Sequence, residues 1–290
     1  MPEGHTIHAL AARLNRTLGG QPIAVSSPQG RFAADAAVLD GRTLDVAQAR
    51  GKHLFVDFAD LILHVHLGLI GSFHVKHQPL PDAANPSPPR LRLAGRTHVA
   101  ELRGPMICAL VDEEGRQAVL DKLGPDPLHR PDVATGADRA WLRISKSRKT
   151  IAELLLDQSV LAGVGNVYRC EVLFRHRVDP LTPGRELGRR LWEEIWDDVV
   201  TLLPLGVAFS QILTLQDQVD AAAEMVADGS SLAITESLTG ERLGDHFDRR
   251  FHTYQRTGEA CDRCGRRIRD VVIGGRTLYW CPGCQRRRKR

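Results

Sequence analysis

Apolar residues in the first 120 positions follow a helical spacing and then a strand-like one. Residues 3–18, with Pro2 at their start, form a helical stripe of Ile7, Leu10, Ala11, Leu14 and Leu18. From residue 53 to 77 apolar positions alternate as in strands, and Ala59-Asp60 supplies a turn. Residues 90–112 contain further short alternations. These patterns predict a β-rich region with one leading helix.

Helical spacing dominates the second half of the chain. Residues 151–156 and 160–174 are predicted helices, interrupted by the glycine-containing residues 162–165. A longer helix is predicted where apolar residues fall at i, i+3, i+4, i+7, i+8 and i+11: Trp192, Ile195, Trp196, Val199, Val200 and Leu203. Its aromatic residues are expected in a core, not on a base-stacking surface. Residues 226–248 follow neither spacing and are left unassigned.

Proline and glycine mark the breaks between these regions. Residues 78–90 contain five prolines and predict an exposed loop. Residues 124–138 have the composition of an interdomain linker. The resulting fold class is α+β, divided into a β-rich domain with its leading helix, a linker, a helical domain and a cysteine-containing end: 1–123, 124–138, 139–248 and 249–290.

Four cysteines near the C-terminus have the spacing of a zinc ribbon. Cys261 and Cys264 form one CxxC pair, Cys281 and Cys284 form the other, and sixteen residues separate the pairs. Zinc prefers tetrahedral thiolate coordination, and this set fills all four positions with protein ligands. We therefore predict one structural Zn²⁺ that cannot activate water.

Basic charge is concentrated around these cysteines. Residues 249–290 contain thirteen Arg or Lys and three Asp or Glu, a net of +10, whereas the whole chain has a net charge of +4. A zinc-stabilised segment this rich in arginine is typical of a nucleic-acid binder. For the final residues 286–290 alone, a solvated tail is the favoured interpretation.

The sequence predicts neither a membrane protein nor a secreted one. No 18-residue apolar run is present, so no membrane span is predicted. The N-terminus lacks the basic and apolar regions of a signal peptide, so a cytoplasmic protein is expected, with Cys108 and Cys170 as reduced thiols.

The dipeptide Pro2-Glu3 has two interpretations. In the structural one, proline suits the first turn of a helix and glutamate favours the helix dipole. In the chemical one, removal of Met1 exposes the secondary amine of Pro2, and an α-amino group titrates at about pH 8. A neutral secondary amine that attacks an aldehydic or acetal carbon forms an iminium ion, with Glu3 as a proton donor or relay. These two residues alone favour the structural interpretation.

Four motifs in sequence order change that balance: Met-Pro-Glu-Gly at the start, Gly51-Lys52-His53, Gly163-Val-Gly-Asn166 and Tyr279-Trp-Cys-Pro-Gly-Cys-Gln285. In this combination the chain resembles the bacterial formamidopyrimidine-DNA glycosylase/endonuclease VIII family, nearly end to end. The resemblance is weakest at residues 20–45, 78–110 and 205–248. It implies an N-terminal β-sandwich, a helix–two-turn–helix domain and a C-terminal zinc-ribbon β-hairpin.

The resemblance also implies a bifunctional DNA glycosylase/AP lyase that uses one structural zinc and no small-molecule cofactor. Pro2 matches the nucleophile that attacks C1′ of the damaged nucleotide, and Glu3 its acid–base partner. Lys52 matches the lysine that assists β-elimination. Arg276, on a hairpin with Gly274-Gly275 at its tip, matches the arginine that binds phosphates and supports δ-elimination.

Further DNA contacts follow from the same resemblance. Asn166 matches the phosphate-binding asparagine at the start of the second motif helix, and Lys122 falls at a basic DNA contact. Leu69 and Ile70 are the candidate wedges that fill the void after base flipping. Gly68 stands where the endonuclease VIII branch has a polar residue. A hairpin packing role for Leu69 and Ile70 is the simpler alternative.

The branch of the family is a separate question. The Tyr-Trp-Cys-Pro-Gly-Cys sequence and the Leu-Gly-Pro-Asp region at 123–126 favour endonuclease VIII, hence oxidised pyrimidines. Residues 104–110 lack the Pro-Arg-Arg-Phe-Gly-like loop of the formamidopyrimidine branch. The partner is damaged DNA, bound by a monomer associated with the bacterial nucleoid. Alternatives are a formamidopyrimidine/8-oxoguanine-type glycosylase, a catalytically weak DNA-binding protein retaining the fold, and a zinc ribbon that recruits partners.

Overall fold

The structure, a computed structural model, describes residues 2–78, 87–228 and 246–287. Most of the predicted proline-rich loop (79–86), most of the unassigned stretch (229–245) and the end of the basic tail (288–290) lie outside these residues. The chain forms two compact units, Met1–Lys122 and Leu123–Arg290. No helix of the described residues is both long and apolar enough to cross a membrane.

The first unit is a β-sandwich with a leading helix. Its elements are α1 (Gly4–Leu18), β1 (Ala24–Ser26), α2 (Ala33–Leu39), β2 (Val46–Arg50), β3 (His53–Phe58), β4 (Leu61–His66), β5 (Ser72–His77), β6 (Leu91–Ala94), β7 (His98–Arg103), β8 (Ile107–Val111) and α3 (Glu113–Leu120). Two antiparallel sheets have the orders β1-β6-β7-β5 and β2-β3-β4-β8. One apolar core joins the inner faces of both sheets to α1 through residues such as Leu14, Val56 and Leu93.

The predicted helix and hairpin of this unit are confirmed. The apolar stripe of α1 is buried at all five predicted positions, because the helix lies against strands of both sheets. Phe58 pairs with Leu61 across the turn at Ala59, which has φ +58°. The sequence pattern did not show that β5 leaves the neighbouring β4 and pairs instead with β7.

The second unit contains the helices and the zinc-ribbon hairpin. Its elements are α4 (Arg130–Val133), α5 (Gly136–Ile144), α6 (Ile151–Leu154), α7 (Asn166–Arg175), α8 (Arg189–Phe209), α9 (Gln216–Ala227), β9 (Arg269–Ile273) and β10 (Arg276–Trp280). Its main core includes Trp192 and Trp196 of α8, which confirms that the aromatic stripe is packing and not a base platform.

Two boundaries differ from the sequence predictions. The predicted interruption at 162–165 is present, with Gly163 at φ +91° and Gly165 extended as the N-cap of α7, but residues 160 and 161 before it are not helical either. Helix α8 continues beyond residue 203, through Pro204, to Phe209.

The stretch assigned to a linker, 124–138, lies inside the second unit and not apart from it. Asp126 is fully buried, and a Cβ on Gly136 would lie 2.2 Å from the Trp196 ring. The glycines and prolines of this stretch therefore serve close packing and helix starts, not extension between domains.

Candidate active site and nucleic-acid interface

Pro2 and Glu3 stand at the N-terminus of α1. Glu3 is the extended N-cap residue, and its side chain is fully buried. The backbone N–H of Thr6 donates to the Glu3 carbonyl over 3.0 Å, and the Glu3 N–H donates to the Thr6 hydroxyl over 3.4 Å. Because α1 is fixed in the core, these contacts place the half-buried Pro2 beside a sequestered carboxylate.

His5 contributes a neutral group to the same helix end. Its Nε2 lies 3.2 Å from the Thr6 hydroxyl, and burial lowers the pKa of His5 to about 3. His5 is therefore uncharged at neutral pH, so it adds no positive charge next to Pro2.

Lys52 lies in the two-residue turn between β2 and β3. Arg50 pairs with His53 across this turn, and Gly51 has φ +55°, which a side chain would disfavour. The Nδ1–H of His66 donates to the Lys52 carbonyl over 2.8 Å, since a carbonyl can only accept. The turn that presents Lys52 is thus held from the neighbouring strand β4.

The loop after β4 exposes apolar side chains. Leu69 is 42% and Ile70 88% exposed, whereas most large apolar residues of the described chain are buried. Gly68 has φ +68°, and a Cβ there would lie 3.1 Å from the Cβ of Met106. Position 68 therefore disfavours a polar side chain for a steric reason, which accounts for the glycine.

Met106 is a residue that the sequence did not single out. Its N–H donates to the His66 carbonyl over 2.9 Å, and its side chain is 69% exposed beside Gly68. It extends the exposed apolar surface formed by Leu69 and Ile70. The spacing of apolar residues does not identify Met106, because it lies just before β8 and outside any regular element.

Asn166 is the first residue of α7, and its side chain is engaged inside the second unit. Its Nδ2 donates to the Thr277 carbonyl over 2.8 Å, and its Oδ1 accepts from Arg169. Asn166 thereby fixes the hairpin strand β10 to the helix. The phosphate-binding role of Asn166 stays a prediction, favoured by the positive end of the α7 dipole.

The hairpin itself matches the sequence prediction. Strands β9 and β10 pair in register from Arg276–Ile273 to Trp280–Arg269, and Gly274 and Gly275 have φ +61° and +71°. Arg276 is the residue directly after the tip. Lys122, the other predicted basic contact, is exposed at the end of the first unit.

The four cysteines form the metal centre that the spacing predicts. One ligand atom from each lies within 4.8 Å of all the others: Cys261, Cys264, Cys281 and Cys284. Two of the Sγ–Sγ distances are 3.8 and 3.4 Å, close to the roughly 3.7 Å edge of a tetrahedron with Zn–S of about 2.3 Å. The donor set fits one structural zinc.

A buried carboxylate connects the zinc ribbon to α7. Glu171 is fully buried and accepts hydrogen bonds from the N–H groups of His252, Thr253 and Tyr254, and from the hydroxyls of Thr214 and Thr253. It therefore holds the segment that leads into the ribbon against the same helix that begins at Asn166.

This arrangement gives a stability prediction. The groups around the Glu171 side chain are all hydrogen-bond donors. A glutamine amide would offer them only one acceptor oxygen and would turn its own NH2 donors towards some of them. We therefore expect Glu171→Gln to lower the free energy of unfolding by about 2 kcal/mol. Thermal or urea unfolding tests this, with Glu224→Gln on the exposed face of α9 as the matched control. An equal, small effect of both substitutions would contradict the anchoring role of Glu171.

Three known protein families match successive parts of this chain. Residues 1–105 match the model of the formamidopyrimidine-DNA glycosylase N-terminal domain. Residues 123–217 match the formamidopyrimidine-DNA glycosylase H2TH domain, and residues 258–287 match the zinc finger found in FPG and IleRS.

Individual relatives cover almost the whole chain. "Endonuclease 8 1" of Mycobacterium tuberculosis is 42% identical over 290 residues, covering 98% of this chain and all of that protein. A formamidopyrimidine-DNA glycosylase of Thermus thermophilus is 30% identical, covering 98% of both chains. Among solved structures, the Lactococcus lactis formamidopyrimidine-DNA glycosylase bound to DNA containing an AP site has a TM-score of 0.73 at 20% identity, covering 98% of this chain and 100% of that one.

Proposed function

The chain belongs to the formamidopyrimidine-DNA glycosylase family, and we propose that it removes oxidised bases, with pyrimidines favoured, and cleaves the strand at the abasic site through Pro2. As a member of this family it is a DNA glycosylase of base excision repair. The observation that supports the chemistry is the position of Pro2 on a core-fixed helix, next to the buried carboxyl group of Glu3.

The proposed reaction begins with the Pro2 nitrogen. Its lone pair attacks C1′, the bond to the damaged base breaks, and the base leaves with a proton. The sugar ring opens to an iminium ion, with Glu3 exchanging protons at the sugar oxygen. Because the iminium withdraws electrons, C2′ loses a proton and the 3′ phosphate leaves; loss of the 5′ phosphate follows. Hydrolysis of the iminium then frees Pro2.

Two basic residues have assigned roles in these eliminations. We assign Lys52 to the β-elimination, where an ammonium can bind a phosphate and donate a proton. We assign Arg276 to the phosphates and the δ-elimination, because a guanidinium binds phosphate with two hydrogen bonds. Asn166 and Lys122 are proposed phosphate contacts. Zinc holds the hairpin that bears Arg276 and takes no part in bond breaking.

The preference for pyrimidines is supported by the relatives. Identity is 42% with the protein named Endonuclease 8 1 but 30% with two formamidopyrimidine-DNA glycosylases, each covering most of the chain. The different residues at 104–110 favour the same branch. We further propose that the enzyme acts as a monomer on the DNA of the bacterial nucleoid.

A borohydride trap on a set of lesions tests the proposal. Duplexes with an oxidised pyrimidine, 8-oxoguanine or a preformed abasic site are incubated with the enzyme and reduced. We expect a covalent adduct with the first and third duplexes, and less with 8-oxoguanine. A preference for 8-oxoguanine would favour the formamidopyrimidine branch. DNA binding without any adduct would show a binding protein that retains only the fold.

The exposed loop after β4 gives a further prediction. If Ile70 fills the space left by the flipped nucleotide, Ile70→Ser removes most of its apolar contact with the neighbouring bases. We expect excision from duplex DNA to slow by about tenfold, the equivalent of burying one such side chain. Excision from single-stranded DNA should change little, since no stack needs filling.

Single-turnover excision rates measure this effect, with Val38→Ser on α2 as the control for loss of an exposed apolar residue. Equal slowing on duplex and single-stranded substrate would rule out the wedge.

A further inference from the structure

Three histidines lie together on the outer face of the sheet β2-β3-β4-β8. In the register of β3 and β4, His53 pairs with His66 and Phe55 pairs with His64. The alternate residues of these strands, such as Leu54 and Val65, belong to the sandwich core. His53, His64 and His66, here termed the histidine row, therefore occupy the face that the core does not use.

The rings of this row are in continuous contact. Phe55 and His64 stack with centroids 4.8 Å apart, His53 and His64 are 5.1 Å apart, and His53 and His66 stack at 4.6 Å. Phe55 and His64 are nearly fully buried. The row thus runs from a buried anchor to His66, at the end of β4.

Two hydrogen bonds define the orientation of the row. His53 Nδ1 and His64 Nε2 are 2.9 Å apart, so one of these nitrogens donates and the other accepts. His66 Nδ1–H donates to the carbonyl of Lys52 over 2.8 Å. The second bond fixes the peptide plane that follows Lys52, and with it the direction in which the lysine side chain leaves the turn.

His53 and His64 support His66 without adding charge of their own. Burial, followed by the neighbouring His66, His64 and Lys52, lowers the pKa of His53 to about 3. Burial and His66 lower the pKa of His64 to about 4. Both are neutral near pH 7, and the shared hydrogen bond itself requires the accepting nitrogen to carry no proton. A cationic support at this place would repel the Lys52 ammonium and compete with it for phosphate.

We propose that His53 and His64 are positioning residues for Lys52: their stacking and shared hydrogen bond fix the ring of His66, which holds the lysine's carbonyl and so aims its ammonium at the elimination step. This inference rests on the proposed function of Lys52. Metal binding does not explain the row. Among the described residues, the side chains close enough to share one metal ion are the four cysteines, and the histidines are not among them.

Substitution of His64 separates positioning from packing. In His64→Leu a buried apolar side chain fills the site of the imidazole but lacks the nitrogen that bonds to His53. In His64→Gln the amide can bring either its Nε2, as a donor, or its Oε1, as an acceptor, near the position of the imidazole Nε2 and restore the bond. Neither substitution alters Pro2, Glu3 or Lys52.

The experiment uses zinc-loaded, full-length protein and a duplex with a preformed abasic site. Single-turnover strand cleavage and the rate of borohydride-trapped adduct are measured in parallel, together with DNA affinity. For His64→Leu we expect cleavage to slow by about tenfold or more, because a small misplacement of a catalytic group has effects of that size. Adduct formation and DNA affinity should remain within about twofold of wild type. His64→Gln, which restores the hydrogen bond but not the stacked ring, should recover most of the lost cleavage rate.

A double variant tests the route through Lys52. If His64 acts only by positioning Lys52, His64→Leu should slow cleavage no further in a Lys52→Ala background. Equal slowing of adduct formation and cleavage, failure of His64→Gln to restore the rate, or an additional loss in the double variant would overturn the inference. Absence of any adduct with wild type would overturn the proposed function instead.

Variants of His53 keep the inference testable if His64→Leu does not fold. His53→Phe preserves the stacked ring without a nitrogen, and His53→Asn places an amide, with Nδ2 as a donor and Oδ1 as an acceptor, near the position of Nδ1. We expect cleavage to slow by about tenfold in His53→Phe and less in His53→Asn. Equal rates in the two variants would show that the hydrogen bond has no role.

Discussion

Protein that retains Met1 is expected to bind abasic DNA but to form no covalent adduct and cleave no strand. In that form the Pro2 nitrogen is part of a peptide bond, and its lone pair is delocalised into the carbonyl. An amide nitrogen is not a nucleophile at neutral pH, whereas the free secondary amine titrates at about pH 8. We expect cleavage to fall by on the order of a thousandfold, about 4 kcal/mol in activation free energy.

The matched control is the same preparation after removal of Met1 by a methionine aminopeptidase. Intact mass gives the processed fraction, and strand cleavage and trapped adduct should rise in proportion to it. DNA affinity should stay constant, because the change is at one atom of a helix end. Cleavage independent of the processed fraction would exclude Pro2 as the nucleophile and direct attention to a lysine.

The proposed attack also needs the Pro2 amine to be held in a fixed position, and the structure supports this. Pro2 precedes a helix whose residues Leu14 and Leu18 are fully buried in the sandwich core. The amine is therefore presented by a rigid element, not by a mobile terminus. A nucleophile held in position reacts faster, because much of the translational and rotational entropy is already lost before the reaction step. The same helix end keeps Glu3 out of solvent.

Local features of the fold were predictable because they follow from spacing along the chain. The stripe of α1, the β9–β10 hairpin with its glycine tip and the cysteine quartet each depend on neighbours within about twenty residues. The aromatic stripe of α8 belongs to the same group. Each of these elements is present as expected.

Contacts between distant segments could not be predicted in this way. The hydrogen bond from Asn166 to the Thr277 carbonyl joins positions 111 residues apart. The histidine row depends on the register of β3 and β4, which brings His53 opposite His66. The proximity of Met106 to Gly68 depends on the pairing of β4 with β8. Composition misassigned residues 124–138, because glycine serves tight packing as well as flexible linkers.

Removal of zinc is expected to abolish the DNA binding that we propose for the hairpin while leaving the amine of Pro2 reactive. The ribbon contributes only Cys261, Ile268 and Cys281 to a small cluster of four buried residues, and the fourth is Phe174 of α7. Such a small core cannot offset the conformational entropy that the segment regains when the four cysteines are no longer joined through a metal. The tip and Arg276 should therefore lose their fixed position.

The hairpin is also held from the helical side, which limits the damage. Leu278 is fully buried in the main core of the second unit, and Thr277 is bonded to Asn166. We therefore expect loss of order near the cysteines and the tip rather than unfolding of the helices. DNA affinity should fall by about tenfold or more, the effect of losing one charge-assisted contact, and strand cleavage should fall with it.

The decisive comparison is between Arg276→Ala in zinc-loaded and in zinc-free protein. If zinc acts by holding Arg276, the substitution lowers DNA affinity strongly in the loaded protein and only slightly in the depleted one, because both changes remove the same interaction. Metal content is verified for each sample, and reductive methylation of the N-terminal amine, followed by mass, shows that Pro2 remains available. Unchanged cleavage after verified metal loss, or fully additive effects, would separate the zinc from Arg276 and leave the metal a purely local support for the ribbon.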